Sequence, residues 1–391
     1  MFNVGGGKTQ QLKLYQRLES CQSSAVCPLL LSVMMQEAEL CFPQLNTSCT
    51  KPKRPLSDTR LIYIVLSSIS LLTATLNLLV IISISDFKHP TNHLVLSLAV
   101  SDFLVGPLML FQLLLVNGCW FLSDLVCSLY SVTDYIITTT SIGTMVLISI
   151  DRYVAICDPL HYSTKVTQKR VQVCVLLCWM SSALCHTLLM KDNLIHPGRY
   201  KSCSGECVVV IDYIAGRIDM FLSFITPITV ILVLYMRVFV VAVSQARAMN
   251  SHIAAVTLQG SVKVLAKKSE MKAARTLGVV IFMFVICLFP YFCVTLTSQD
   301  TLINQSSSAF VICLFYFNSC LNPMVYAFFY PWFRKCTKQI VTLKILKARS
   351  HGHQLLRHIS VSLLNLYQES WNIFGFVGQY LILLSLPFYT T

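Results

Sequence analysis

Seven long apolar runs, separated by short polar segments, constrain this chain more than any other feature. Each run is long enough to cross the roughly 30 Å hydrocarbon core of a bilayer as a helix, and a helix satisfies its own backbone hydrogen bonds there. The runs cover approximately residues 61–84, 93–116, 125–156, 171–190, 209–243, 273–298 and 307–329. The sequence therefore predicts an all-α membrane protein built as a bundle of seven transmembrane helices.

The composition supports a membrane setting and indicates an orientation. Only 12% of the residues are charged, about half the share typical of soluble proteins. The net charge of +13 could suggest a nucleic-acid partner, but the basic residues cluster in the connections after the third, fifth and seventh spans. The positive-inside rule makes those connections cytoplasmic and the N-terminus extracellular. Basic residues before the first span would favour the opposite orientation. The positive charge of the loops is consistent, however, and an odd number of spans puts the two ends of the chain on opposite sides of the membrane.

The third span is charged at both ends and uncharged in the middle. Between Asp134 and Asp151 the only ionisable side chain is that of Tyr135. Arg152 follows Asp134 by eighteen residues, which is five helical turns, or roughly 27 Å, along one helix face. An acid inside a membrane usually faces the bundle interior and serves function. The alternative for Asp134 is a neutral, internally bonded acid.

Two further acids lie inside apolar spans. Asp102 lies mid-span in LSLAVSDFLVGP, and Asp219 lies in the fifth span in GRIDMFLSFITP. Ser223 follows Asp219 by four residues and shares its helix face. Arg217, two residues before Asp219, points to nearly the opposite face, so it is a poor partner for that acid.

Motifs in the third and seventh spans carry a family resemblance. Asp151-Arg152-Tyr153, with Cys127 upstream and Asp158-Pro159-Leu160 downstream, resembles the third helix of a rhodopsin-like G-protein-coupled receptor. Asn322-Pro323 followed by Tyr326 is similar to the seventh-helix motif of that family. The longer string from Asn318 to Tyr330, Trp332 and Phe333, with LCFPQLNTSC near the N-terminus, resembles the trace amine-associated receptors, in particular a fish-type, diamine-sensing member. The resemblance covers approximately residues 34–346.

The resemblance implies a division of the chain. Residues 34–60 would be an extracellular segment, 61–330 the seven-helix receptor domain, and 331–347 an amphipathic juxtamembrane helix. Residues 1–33 and 348–391 are atypical for the family; we expect the first to be disordered, without a convincing signal peptide. The apolar end of the tail could form an eighth span, but we favour an unattached end. Candidate modification sites are the glycosylation sequon at Asn46 and the palmitoylation site Cys336.

The resemblance also implies a ligand site. Asp134 and Asp219 would line one cavity, where two carboxylates repel unless cations neutralise them. The sequence offers no inward Lys or Arg on spans three, five, six or seven, so a ligand is the natural source of positive charge. Candidate ligand-binding residues are Asp134, Asp219, Tyr316, Tyr291, Phe292, Ser223 and Thr138. The favoured ligands are short alkyl diamines such as cadaverine or putrescine. A monoamine or neurotransmitter receptor is the alternative, and a cation transporter or channel is a remote one.

A second set of residues would serve activation. By resemblance a sodium ion would bind among Asp102, Ser141, Asn318, Ser319 and Asn322, with no other cofactor expected. Activation and G-protein coupling would involve Asp151, Arg152, Tyr153, Glu270, Tyr235, Pro227, Ile142, Phe284, Pro290, Pro323 and Tyr326. Leu288 departs from the family, in which most members carry a tryptophan at that position. The implied partners are a heterotrimeric G protein of the stimulatory type and membrane lipid, and no nucleic acid.

Cysteines near the predicted outer surface are candidates for disulfides. Cys127 is expected to bridge to Cys207 in the loop after the fourth span. Cys203 then needs a partner, which could be Cys49 or Cys41, because connectivity is not readable from sequence. No metal-ligand spacing, nucleophile motif or phosphate-binding loop indicates an enzyme. We expect a multi-pass plasma-membrane receptor, with sensory cilia suggested by analogy.

Overall fold

The computed structural model describes residues 39–51, 56–84, 89–253, 278–279, 282–294 and 305–329. Within those ranges every predicted apolar run is helical, which confirms the all-α class. The helices are α1 (Leu56–Ser83), α2 (Pro90–Asn117), α3 (Asp124–Cys157), α4 (Gln168–Leu189), α5 (Tyr213–Ile253, in three segments), α6 (Phe282–Val294) and α7 (Gln305–Phe329). In the described part of the chain, α1 to α5 are long and apolar enough to cross a membrane.

Several sequence predictions fall outside the described residues. These are Glu270, the side chain of Tyr326, Cys336, the juxtamembrane helix at 331–347, and the two terminal extensions 1–33 and 348–391. They stay predictions.

Helix α3 is central to the bundle. It packs against α2, α4 and α5, while α7 packs on α1 and α2. A helix that is surrounded by others can carry polar groups, because they find partners away from lipid. Thr140, Ser141, Thr144 and Ser149 are accordingly buried on α3.

Helix α5 is interrupted just below its acid. Its first segment, Tyr213–Met220, is capped by Asp212, whose carboxylate accepts hydrogen bonds from the backbone amides of Ile214 and Ala215 at 3.1 Å. A π-helical segment, Phe221–Ile225, follows, and α-helix resumes from Thr226. Single π turns often occur at functional sites, because the extra residue rotates the side chains that precede it. Here the π turn begins two residues after Asp219.

Among the described residues, three disulfides tie together one end of the bundle, which we call the outer end. Cys127 pairs with Cys207 and Cys49 with Cys203, which settles the choice that the sequence left open for Cys203. Cys41 pairs with Cys119, in the link between α2 and α3, a bridge that the sequence analysis did not consider.

The N-terminal segment packs on the loop after α4 beside these bridges. The backbone amide of Cys49 donates to the carbonyl of Ser204 at 2.9 Å, and that of Trp120 donates to Gly205 at 2.8 Å. Gly205 has a φ of 102°, and a Cβ there would lie 3.0 Å from the Cβ of Cys41. This close approach requires glycine, so the segment is fixed over the top of α2 and α3.

Candidate functional site

A cavity of about 230 Å³ opens toward the outer end between α3, α5, α6 and α7. Most of the predicted ligand residues contribute to its wall: Asp134, Thr138, Asp219, Ser223, Tyr291 and Phe292, together with Tyr135, Thr139 and Phe315. Both acids are only partly exposed. The structure therefore brings the two predicted carboxylates, from different helices, to one cavity.

Asp134 is held from the side of α7. The hydroxyl of Tyr316, which is 5% exposed, donates to Oδ1 of Asp134 at 3.3 Å. The hydroxyl of Tyr130 lies 3.4 Å from that of Tyr316, and it donates to Oε1 of Gln112 at 2.9 Å. This chain of hydroxyls fixes the orientation of the carboxylate but supplies no positive charge.

Asp219 is held differently. The hydroxyl of Ser223 donates to its Oδ1 at 2.9 Å, as the four-residue spacing predicts. Nε2 of His186, on α4, lies 3.3 Å from the same oxygen. Arg217 instead lies over the ring of Tyr213, 5.1 Å from its centroid, so it is turned away from Asp219.

His186 is the site residue that the sequence analysis missed. Only Lys and Arg on four of the spans were considered as internal cations, and α4 was not among those spans. A histidine within an apolar span is itself a signal of function. Whether it faces lipid or the bundle depends on the rotation of α4, which the sequence leaves open because α4 is apolar around most of its surface.

Aromatic rings form the floor and one wall of the cavity. Phe224 and Phe292 are stacked with centroids 3.5 Å apart, and Tyr291 lies 4.5 Å from Phe315. Beneath them Leu288 is buried in one cluster with Ile142 and Phe284. Leucine therefore fills, with an aliphatic contact, the position at which the family resemblance leads us to expect a tryptophan.

A second polar cluster lies deeper, around Asp102. Nδ2 of Asn322 donates to Oδ2 of Asp102 at 2.7 Å, and the hydroxyl of Ser141 donates to Oδ1 at 3.4 Å. Asp102 is fully buried, as are Asn318 and Ser319 beside it. A cavity of about 20 Å³ touches Ser141, Asn318 and Ser319, enough for one water molecule or a small ion. Side-chain oxygens of this kind are ligands that a sodium ion takes, but Asp102 and Asn322 are not among the residues that line this cavity, so the sodium site stays a prediction.

Arg152 lies at the opposite, inner end of α3. Its guanidinium pairs with the neighbouring Asp151 and also donates to the hydroxyl of Thr91 at 2.9 Å. Tyr162 donates to Asp151 at 2.8 Å. Asp151 therefore holds the arginine against α3 and α2.

The loop after α3 is ordered by its own charges. Hydrogen bonds from Lys165 and His161 lower the pKa of Asp158 to about 2. Burial raises the pKa of Tyr162 above its ordinary value. Near neutral pH Asp158 is therefore ionised and Tyr162 neutral, which are the states that their contacts in this loop require.

Comparisons with known proteins decide the family. Residues 75–326 match the model of the 7 transmembrane receptor (rhodopsin family). The chain is 34% identical to Trace amine-associated receptor 4 of Mus musculus over 333 residues, covering 82% of this chain and 96% of that protein. It is 36% identical to Trace amine-associated receptor 13c of Danio rerio over 332 residues, covering 80% and 95%. The chain belongs to the trace amine-associated receptors.

Membership fixes the class of function. A trace amine-associated receptor is a G-protein-coupled receptor in a membrane that it crosses several times, and not an enzyme. Receptors of this family connect a small-molecule ligand on one side to a heterotrimeric G protein on the other. The cavity near the disulfide-linked end and Arg152 at the other end lie where those two partners are expected.

Proposed function

We propose that this receptor senses short alkyl diamines, with one ammonium group at Asp134 and the other at Asp219. The observation that carries the proposal is that these two carboxylates, from α3 and α5, line one cavity of about 230 Å³. Cadaverine and putrescine are the favoured ligands, because a short alkyl chain with a cation at each end matches a cavity with an acid on two walls.

A monoamine leaves one of the two carboxylates without a cationic partner. Removing one partner of a buried ion pair costs roughly 3 to 5 kcal/mol. Asp134 receives only hydroxyl donors from Tyr316 among its described contacts, so an ammonium group is needed to neutralise it. Asp219 has the imidazole of His186 within reach. The free energy that it gains from a second ammonium group is therefore smaller than that of Asp134 and depends on the charge of His186.

The remaining lining suits the alkyl chain and the ammonium groups. Tyr291 and Phe292 present aromatic surface to the cavity, and a cation over such a ring gains about 0.5 to 2 kcal/mol. Thr138 adds a hydroxyl one turn below Asp134. These groups support binding of an alkylammonium without selecting a catechol or an indole.

We further propose how occupancy is transmitted. Ligand binding would favour the state in which the inner half of α6 moves outward and Arg152 leaves Asp151, opening a cleft for a stimulatory G protein that raises cyclic AMP. The disulfides and the Asn46 sequon would then face the cell exterior at the plasma membrane. A sodium ion at Asp102 would stabilise the resting state.

The test compares cadaverine with pentylamine, which lacks the second ammonium, by cyclic AMP accumulation in cells expressing the full chain. We expect wild type to respond to cadaverine at lower concentrations. Asp134→Ala should abolish both responses, whereas Asp219→Ala should reduce the cadaverine response about tenfold or more and leave the pentylamine response nearly unchanged.

The matched control is Asp192→Ala, since Asp192 is an exposed acid of the outer surface that pairs with Arg199. It should behave as wild type once surface expression is equalised. A cadaverine response that is untouched by Asp219→Ala would show that the two-acid site is wrong.

A monoamine receptor is the second candidate, and one observation favours it. If His186 neutralises Asp219 permanently, only Asp134 needs an ammonium group from the ligand. Equal potency of pentylamine and cadaverine on wild type would support this candidate. Ser223 would then be the one serine or threonine hydroxyl that α5 offers among the described cavity residues, whereas relatives that bind a catechol usually offer several.

A further inference from the structure

His186 occupies a position from which its charge can compete with a ligand. Its side chain is 1% exposed, so it does not face lipid or solvent. Nδ1 lies 2.8 Å from the backbone carbonyl oxygen of Ser182. A carbonyl oxygen only accepts hydrogen bonds, so Nδ1 carries the hydrogen in this contact.

The hydrogen on Nδ1 determines which hydrogen bonds Nε2 can make. Nε2 lies 3.3 Å from Oδ1 of Asp219 and 3.3 Å from the hydroxyl of Thr139. With the hydrogen on Nδ1, a neutral imidazole presents a lone pair at Nε2, which can accept from Thr139 but repels a carboxylate. Only a protonated imidazole donates to both the Ser182 carbonyl and Asp219. The geometry thus suits a charged His186 when no ligand reaches Asp219.

The surroundings add one further titratable group to this pair in the described residues. From α3, the ring of Tyr135 packs on the imidazole with centroids 5.5 Å apart. From α5, Asp219 is the group that faces it, since Arg217 is directed to Tyr213. Asp134, the other acid of the cavity, is directed to Tyr316. Asp219 is therefore the acid to which the charge of His186 is tied.

Resting on the proposed function, we propose that His186 is the internal counter-ion of Asp219 and sets how strongly the receptor prefers a diamine over a monoamine. When His186 is charged, Asp219 is already neutralised, and a second ammonium must displace the proton. When His186 is neutral, Asp219 accepts the second ammonium directly and Thr139 donates to Nε2. His186 acts through Asp219 and is therefore a specificity-determining, positioning residue rather than a direct ligand contact.

The proposal predicts a pH-dependent preference with a definite sign. Imidazole ordinarily changes charge between pH 5 and 8, whereas alkylammonium groups stay charged there, like lysine. Only the neutral form is competent for the second ammonium, so diamine affinity scales with the neutral fraction of His186. That fraction rises between pH 6 and pH 8, and the preference for the diamine should rise with it.

The experiment measures ligand-stimulated nucleotide exchange on the G protein in membranes from cells expressing the full chain. At pH 6 and again at pH 8, the half-maximal concentration of pentylamine is divided by that of cadaverine, so a higher ratio means a stronger preference for the diamine. A ratio cancels pH effects on the G protein, which both ligands share. We expect this ratio to rise with pH in wild type and to stay at the high value at both pH values in His186→Gln.

Two variants control for structural effects. Thr139→Val removes the other contact of Nε2 but keeps the imidazole, so the pH-dependent rise should persist. In Asp219→Asn, adding His186→Gln should change nothing, because the histidine acts through that acid. If His186→Gln is poorly expressed, His186→Asn provides a second neutral replacement that still reaches the Ser182 carbonyl.

The two proposals fail differently. The role of His186 is overturned, and the diamine function stands, by either of two results. The first is a high ratio that depends on Asp219 but is the same at pH 6 and pH 8. The second is a rise of the ratio with pH that persists in His186→Gln. A ratio near one at both pH values, unchanged by Asp219→Asn, overturns the diamine function and this inference with it.

Discussion

The two acids of the cavity differ in what holds them. Asp134 accepts a hydrogen bond from the Tyr316 hydroxyl of α7, which in turn contacts the Tyr130 hydroxyl of α3; these hydroxyls orient the carboxylate without neutralising it. Asp219 receives a serine hydroxyl from its own helix and an imidazole from α4. The difference assigns unequal roles. Under the proposed function, Asp134 would anchor any amine, while Asp219 would be an adjustable site that distinguishes a second cation.

The largest effect is expected on the anchor side. Tyr316→Phe removes the hydroxyl that donates to Asp134, and a hydrogen bond to a charged group contributes about 1.5 to 3 kcal/mol. At 3.3 Å the contact is long, so we expect about a tenfold loss of potency, equal for cadaverine and pentylamine. Receptor activation by each ligand provides the measurement.

Tyr63→Phe is the control for that variant, because the Tyr63 hydroxyl donates to the backbone of Leu113, away from Asp134. It should leave both potencies at the wild-type value. A loss in Tyr316→Phe that is confined to cadaverine would contradict the assignment of Asp134 as the shared anchor.

An intermediate effect is expected when the adjustable acid is lengthened. Asp219→Glu moves the second carboxylate one methylene further from its helix, so a shorter ligand spans the site. The potency ratio of putrescine to cadaverine should rise about fivefold, somewhat below the effect of one methylene in a tight pocket. Pentylamine serves as the internal control and should not change. An unchanged ratio of the two diamines would argue against their bridging the acids.

The smallest effect is expected at Ser223. Ser223→Ala removes one donor to Asp219, but His186 stays within reach of the same oxygen, so we expect a loss of only about 0.5 to 1 kcal/mol, less than for a charged group with no second partner. Cadaverine potency should fall about threefold, with no change for pentylamine. Thr229→Ala is the matched control on the same helix, since its hydroxyl donates to its own backbone at Ile225. An equal effect on both amines would remove the distinction between the two acids.

At the inner end, local contacts hold Arg152 within the described residues. The guanidinium binds Asp151 and Thr91, and Tyr162 donates to the carboxylate of Asp151. Glu270 lies outside the described residues, so its part in activation stays a prediction. The proposed release of Arg152 would therefore have to break contacts within α3 and to α2.

The sequence by itself determined the helical class and located the aspartates inside the apolar spans. Length and apolarity of a run are local properties, so all seven runs were readable, and an aspartate inside such a run is conspicuous because burying its charge is costly. The i, i+4 relation of Asp219 and Ser223 was readable for the same reason, since it depends only on helix geometry.

Only the tertiary structure decided which distant groups meet. The pairing of His186 with Asp219 depends on how α4 is rotated against α3 and α5, and an apolar helix carries no polar face to fix that rotation. The Cys41–Cys119 bridge likewise joins residues 78 positions apart, whose proximity follows from how the N-terminal segment folds over α2 and α3. Local patterns cannot specify such contacts, because they arise from the packing of elements that are separate in the chain.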